Sequence, residues 1–513
     1  MRKKDLKLHP AILFLILTVI IMIISSVGSI LNLEATYYNV NSVTGELETQ
    51  VVTINNLFNR TGLQYLFSSM LNNFATFAPL STLILGLMGV GVAYKSGFLN
   101  SLFKMIIHGR SKKIFTFIVV LVGVISSMFY ESAYVIVLPV AAILFMNLGR
   151  HPACGVCAAF AGISFGYGAN ILVNGVDNIL INYTQSATKI LDSNYQVSLT
   201  GNLLFMMFAT LLISYLGMII TEKYVVPKLG KYNLELEEGD IDLNAEVTKK
   251  EKKEVLVAIL FTSILVFLLM YCIIPGLPFS GLLLDLKETR YIAQLFGDTS
   301  YFKQGSVLIF SSLFGFSGLV YGMIVKTIKN NKDLMNCMSY YLRGFSSLLI
   351  LIFFAAQFCL IFKETNIGVF VVVSLTELMS NLQLTGIVLI ILMFILVAIG
   401  SLFVPSISTK WAILSPVMVP MFMQSSFTPE FAQAVFRAAD SSTKGITPLF
   451  TYFVILLGFL QIYNSKKKDI ITLTDGMSLM LPYAVCFSIV WLLLVLAFYI
   501  IGLPLGFSTG VML

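Results

Sequence analysis

The sequence predicts an all-α polytopic membrane protein with nine transmembrane helices and two re-entrant helical hairpins. Three observations carry that expectation. Hydrophobic residues make up 57% of the 513 and charged residues only 12%, with a mean hydropathy of +0.89, whereas a soluble domain is about 25% charged. Apolar runs long enough to span a bilayer, about 20 residues each, recur along the whole chain. Lysine and arginine cluster in alternate connections between those runs, which orients a membrane chain rather than marking a nucleic-acid surface.

Spans are expected near 10–31, 76–99, 153–182, 201–227, 255–275, 305–326, 344–363, 430–463 and 478–503. The first follows a basic stretch but lacks a small-residue cleavage site, so it reads as a retained helix rather than a leader. With the N-terminus inside, 24 of the 33 Lys and Arg fall on the inner side, among them Arg2, Lys95, Arg150, Lys228, Arg343 and Lys466. This orientation satisfies the positive-inside rule and places the chain in the plasma membrane, N-terminus cytoplasmic and C-terminus outside. Stretches 114–148 and 385–425 are each too long for one helix and interrupted in the middle. The first lies between Lys113 and Arg150, so both its ends want the cytoplasm, and it forms a hairpin with its tip at Ser126–Ser132. The second, tipped by Val404–Trp411, enters from outside. The longest soluble pieces expected are an outer segment near 32–70 and an inner one near 228–254, acidic (ELEEGD) and then basic (KKEKKE), a solvated linker.

An internal repeat completes the fold class. With an offset of 277 residues the two hairpin regions align without gaps, pairing Pro139 with Pro416, Pro152 with Pro429, Ser164 with Ser441, Gly168 with Gly445 and Tyr134 with Trp411. The copies begin on opposite sides of the membrane, so the halves 1–254 and 255–513 form an inverted repeat, the signature of secondary transporters. Each half holds a hairpin (about 114–148, about 385–425) and a broken helix (about 153–182, about 430–463), broken at Ser164–Asn178 and Asp440–Pro448. Non-helical backbone at membrane depth survives only against protein or a watery cavity.

Charges there cost at least ~2.5–3.5 kcal/mol each at the bilayer centre. Glu131, Asp177, Lys410, Arg437, Asp440 and Lys444 therefore require partners or a function. Structural ion pairing and ligand binding both remain open for them. Three cations and one anion around the second break suit an anionic substrate. Ser408, Ser441, Thr443, Asn170 and Asn174 offer neutral oxygens for substrate or a coupling cation, or cap the broken helices. Trp411, one of only two tryptophans, is either a wall for an aromatic ligand or plain packing. Cys154 and Cys157 read as small packing residues, and the three histidines are too scattered for a metal site. A membrane enzyme would need a nucleophile–base pair, metal cluster or phosphate loop, none of which is evident. A channel is disfavoured because hairpins from both sides suit alternating access about one site.

Certain segments, in their order, resemble the p-aminobenzoyl-glutamate transporter (AbgT) family over nearly the whole chain. They are NNFATFAPL (Asn72 to Leu80), YVIVLPVAAILF before GRHP, GANIL followed by Asp177, STKWAILSPVMVPMF, and RAADSST with ITPL and TYF after it. The resemblance implies nine spans, two hairpins, a homodimer and a cytoplasm-facing basin. It also implies movement of p-aminobenzoyl-glutamate, a folate catabolite with an aromatic ring and carboxylates, without a tightly bound cofactor but with Na+ or H+ as possible coupling ion. Some members look like exporters of sulfonamide antimetabolites. The family's important positions fall on Asp177, Ser408, Trp411, Pro429, Arg437, Asp440 and Pro448. The chain departs from the family pattern at Lys444, where asparagine is usual, at Glu131, where aspartate is usual, and at Tyr94, where an acid is expected. A protonated amine cannot ligate sodium, so the departure at Lys444 implies lost sodium coupling at that site, leaving proton coupling or none.

Overall fold

The structure, a computed structural model, describes residues 8–40, 47–232, 248–382, 384–464 and 470–513. The expected inner-side charges at 2–7 and 466–468, and the ELEEGD run, lie outside the described residues. Among the described residues, nine helices are long and apolar enough to cross a membrane. Seven of these coincide with predicted spans. The other two, Lys112–Phe129 and Gly386–Phe403, are the first arms of the two predicted hairpins. The two spans predicted to be broken are indeed interrupted. One is Pro152–Phe165 followed by Gly175–Thr188, the other Pro429–Thr443 followed by Phe453–Ile462. Only 11% of the most apolar stretch of helix Lys249–Tyr271 is buried. Its Leu256, Leu260, Ile264 and Phe267 point outward, an arrangement that water would penalise and lipid does not.

The segments between spans are more ordered than expected. The outer segment 32–70 is not a plain loop: strands Glu34–Val40 and Leu47–Thr53 pair antiparallel, the main exception to an all-helical chain. Helix Arg60–Ala75 then leads almost directly into the span Ala78–Lys95. A further helix at Ile367–Ser380, apolar but only 14 residues long, precedes the second hairpin.

In the first hairpin, helix Lys112–Ser126 tightens into a 3-10 turn at Ser127–Phe129, and the chain reverses at Tyr130 with φ of +47° before helix Glu131–Asn147. A bulky residue at positive φ costs about 1–3 kcal/mol and persists only where its surroundings impose it. In the second, Gly386–Phe403 ends at extended Val404, and Ser406 caps helix Ile407–Gln424 by accepting from the Thr409 amide. The hairpin bases are pinned. Arg150 forks onto Glu222 and also bonds Thr116 at 3.0 Å. Across the molecule, the Thr428 amide donates to the Val511 carbonyl at 3.0 Å, and Glu430 accepts from Tyr195 and the Ser198 amide, each at 2.8 Å. His151 starts the first broken helix by accepting from the Ala153 amide at 3.2 Å. Burial holds its pKa down at about 4, so the ring stays neutral and able to accept.

Each hairpin lays both arms against the first half of the broken helix that follows it. The two broken helices then cross at their breaks, and glycine permits the approach. A methyl group at Gly168 would sit 2.6 Å from both the Arg437 carbonyl oxygen and the Ser441 hydroxyl, and one at Gly445 would sit 2.9 Å from the Ser164 Cβ. The contact is reciprocal: Gly168 meets Ser441 while Gly445 meets Ser164, the same positions that the 277-residue offset equates. Gly168→Ala should therefore force the crossing apart and cost about 1–3 kcal/mol, as overpacking does. Gly305→Ala, where the nearest atom would be 3.9 Å away, should not destabilise. Thermal unfolding of both purified variants in one detergent checks this.

Candidate functional site

The first break runs between Phe165 and Gly175. The indole of Trp491 closes the end of the first half-helix by donating to the Phe165 carbonyl at 3.1 Å. Asn174 starts the second half-helix, its side chain accepting from the Val176 amide at 2.9 Å. Asp177 completes a capping box by accepting from the Asn174 amide at 2.8 Å. Its other oxygen receives the Arg437 guanidinium. Arg437 reaches back across the crossing to donate Nε to the Gly168 carbonyl at 3.3 Å, while its Nη2 has no partner. This ion pair therefore joins the two halves of the chain.

A second pair lies within the C-terminal half. Lys410, from the second hairpin, donates to Asp440 and, at 2.7 Å, to Ser401. The Ser401 hydroxyl lies 2.9 Å from the same Asp440 oxygen, and the other Asp440 oxygen has no hydrogen bond. Lys410, Arg437 and Asp440 are wholly buried. Water-poor surroundings make each pair strong and make removal of one partner expensive.

Lys444 is different. It is buried, yet no carboxylate among the described residues lies within ion-pair distance. Its ammonium sits 3.6 Å from the centre of the Tyr167 ring and 5.4 Å from that of Phe450, a cation–π seat. Tyr167 and Lys444 are again positions that the 277-residue offset equates. Asp440, Lys410 and Glu131 act on Lys444 at longer range. Three cations thus face two aspartates at the crossing, with the half-buried Glu131 at the first hairpin tip beyond them.

Lys444 borders a cavity of about 410 Å3 with Lys363, Phe403, Thr409, Phe450 and Thr451. A second cavity, about 380 Å3, lies under the strands and is lined by Tyr37, Glu48, Gln50, Tyr183 and Ser408. Thr409 and Val369 border both.

The structure gathers Asp177, Arg437, Lys410, Asp440, Lys444 and Ser441 at one crossing, and leaves the Ser441 hydroxyl without a partner. Other predicted ligands are otherwise engaged. Asn170 ties the break to the first hairpin by donating to the Ile125 carbonyl at 3.2 Å. Thr443 donates to the Ala398 carbonyl at 2.6 Å. Pro448 ends the second break, its carbonyl 3.8 Å from the Cys359 thiol. Ser408 borders the second cavity, because residues two apart on a helix face different ways and Lys410 points to the crossing. Trp411 is a packing anchor: wholly buried, it lies 4.4 Å from Phe436, centre to centre, and donates to Thr184 at 2.9 Å. Ser401, Tyr167, Phe450 and Trp491 were not anticipated. Only Tyr167 carried a signal, through its repeat relation to Lys444.

Hairpins flanking broken helices that cross over paired charges define a membrane transporter rather than an enzyme. Comparison with known proteins makes the assignment specific: the AbgT putative transporter family matches residues 4–513, and the chain belongs to that family. It is 30% identical over 499 residues to the p-aminobenzoyl-glutamate transport protein of Escherichia coli (strain K12), covering 97% of this chain and 93% of that protein. Among solved structures, MtrF of Neisseria gonorrhoeae, described as illuminating a class of antimetabolite efflux pumps, is 33% identical, covers 98% of each chain and gives a TM-score of 0.50. The YdaH transporter of Alcanivorax borkumensis is 30% identical, with 97% of this chain and 100% of that one covered and a TM-score of 0.49.

The pairing changes what Arg437→Ala should do. Sequence alone leaves Arg437 open between ion pairing and ligand binding, and the structure gives it Asp177 as partner. With Asp177 left buried and alone, the variant should lose about 3–5 kcal/mol. The double variant Asp177→Asn, Arg437→Ala should recover part of that loss, so a double-mutant cycle on thermal midpoints gives a favourable coupling. Additive losses would remove the pair from the account.

Proposed function

We propose that this transporter moves p-aminobenzoyl-glutamate or a related aromatic carboxylate by alternating access, with the two halves acting as an inverted repeat about the crossing. The observation that carries this reading is Lys444, a buried cation with no carboxylate among the described residues at ion-pair distance, facing a cavity walled by aromatic rings. An anionic aromatic solute supplies a close counter-charge and a surface for those rings. The reciprocal glycine–serine contacts support a two-fold relation between the halves. The E. coli relative's printed activity supports the substrate class. Positive-inside charge supports a cytoplasmic N-terminus, in a homodimer of the kind the sequence resemblance implies.

The likeness to MtrF favours a second reading, export of antimetabolites or other organic anions by the same architecture. Direction follows from the coupling ion and its gradient. Here we propose that sodium is not that ion at the second break, because the Lys444 ammonium occupies the crossing as a tethered cation. Proton coupling, or none, remains. The test is flux of radiolabelled p-aminobenzoyl-glutamate in proteoliposomes. Uptake should persist at comparable rate when sodium is replaced by choline, and Lys444→Asn should make it sodium-dependent. A strict sodium requirement with Lys444 intact contradicts the coupling proposal. No flux of any aromatic carboxylate under any gradient contradicts the substrate class.

A further inference from the structure

Arg437 and Lys410 are engaged by Asp177 and Asp440, so neither presents a free charge to a solute in this conformation. Two other lysines do. Lys444 forms the inner wall of the 410 Å3 cavity, its ammonium resting on Tyr167. Lys363, in the last turn of helix Ser346–Glu364, stands on the same cavity and is exposed. No carboxylate among the described residues is within ion-pair distance of either. Nothing in the sequence singled out Lys363, which sits outside both breaks and reads as an ordinary charge at the end of a span.

The cavity's mouth is built rather than incidental. Asn366 donates to the Thr53 carbonyl at 3.2 Å, and Asn55 donates to the Glu364 carbonyl at 2.7 Å. These bonds tie the turn that follows Lys363 to the end of the second strand. Phe362, Phe403 and Phe450 supply aromatic wall. The volume lies within the range of small-molecule sites, about 300–1,000 Å3. One cation deep, one at the rim and aromatic surface along the wall match a solute with a ring and more than one anion.

We infer that this cavity is a binding site for aromatic dicarboxylates, with Lys444 the inner and Lys363 the outer carboxylate partner. The inference deepens the transport reading above and rests on it for the solute class. The two lysines contribute unequally. Lys444 is buried and loses a desolvated contact when removed, which corresponds to about tenfold or more in affinity. Lys363 works through solvent, where an ion pair is worth about 1.5-fold to fivefold. Its removal therefore discriminates between solutes of different charge and does not abolish binding.

Titration calorimetry of the purified full chain tests this with two probes, p-aminobenzoyl-glutamate, which has two carboxylates, and p-aminobenzoate, which has one. The wild type should prefer the first. Lys363→Gln should erase about 1.5-fold to fivefold of that preference while binding p-aminobenzoate within about twofold of wild type. Lys444→Gln should weaken both probes about tenfold or more. Lys363 is exposed, so its variant should keep the wild-type thermal midpoint, and the assignment does not depend on how Lys444→Gln folds. Undiminished preference in Lys363→Gln overturns the assignment while leaving the transport reading in place. A wild type that binds neither probe overturns both.

Discussion

A charge inside hydrocarbon needs a partner, and in this protein that requirement holds the two halves of the chain against each other. Asp177 belongs to the first broken helix and Arg437 to the second, so neither half can neutralise its own charge alone. The pairing demands close approach of two backbones, and Gly168 and Gly445 allow it. The broken helices supply the rest. A continuous helix would satisfy its own backbone and offer nothing at mid-membrane, whereas a break exposes caps such as Asn174 and aims polar side chains into protein. Pairing, crossing and breaks are three aspects of one constraint.

The same constraint suggests how the molecule divides its labour. The hairpin bases are fixed by Arg150 with Glu222 and by Glu430 with Tyr195 and Ser198. Their tips carry the groups nearest the crossing, Glu131 on one and Lys410 on the other. Lys410 binds its hairpin to the second broken helix through Asp440, while Trp411 binds that hairpin to the second half of the first broken helix through Thr184. Movement of one hairpin against its partner helices would have to exchange these contacts. The Asp440 oxygen and the Arg437 nitrogen that lack hydrogen bonds lie at that same crossing.

Much of this was legible in the sequence. Apolar length located the spans, and charge bias with internal interruption located both hairpins. The cost of burying charge singles out Asp177, Lys410, Arg437, Asp440 and Lys444 from sequence. The pairing pattern was not legible. Nothing in spacing says that Arg437 turns to Asp177, 260 residues away, instead of to a solute, or that Lys410 takes Asp440. Ser408 and Trp411 show the limit from the other side. Residue type and position at a hairpin tip suggested ligand contacts, but helical phase sends Ser408 to another cavity and packing claims Trp411. Lys363, Ser401 and Phe450 are ordinary residues whose significance comes only from what the fold sets beside them. Helix Ile367–Ser380 is apolar but, at 14 residues, too short to read as a span, and the paired strands are short and mixed in character, with no period strong enough to stand out against the apolar spans.

The most direct test of the crossing is oxidative crosslinking in native membranes. In a background lacking the six cysteines, with a protease site introduced at residue 240, the pair Ser164→Cys with Gly445→Cys is oxidised before cleavage. Disulfide-bonded Cβ atoms lie about 3.5–4.5 Å apart, and a Cβ at Gly445 would lie 2.9 Å from that of Ser164 with only side-chain atoms as its nearest neighbours, so small shifts suffice. The account predicts that this pair holds the cleaved halves together until reduced. Separation of the halves after oxidation would mean that the breaks do not meet, and would contradict it.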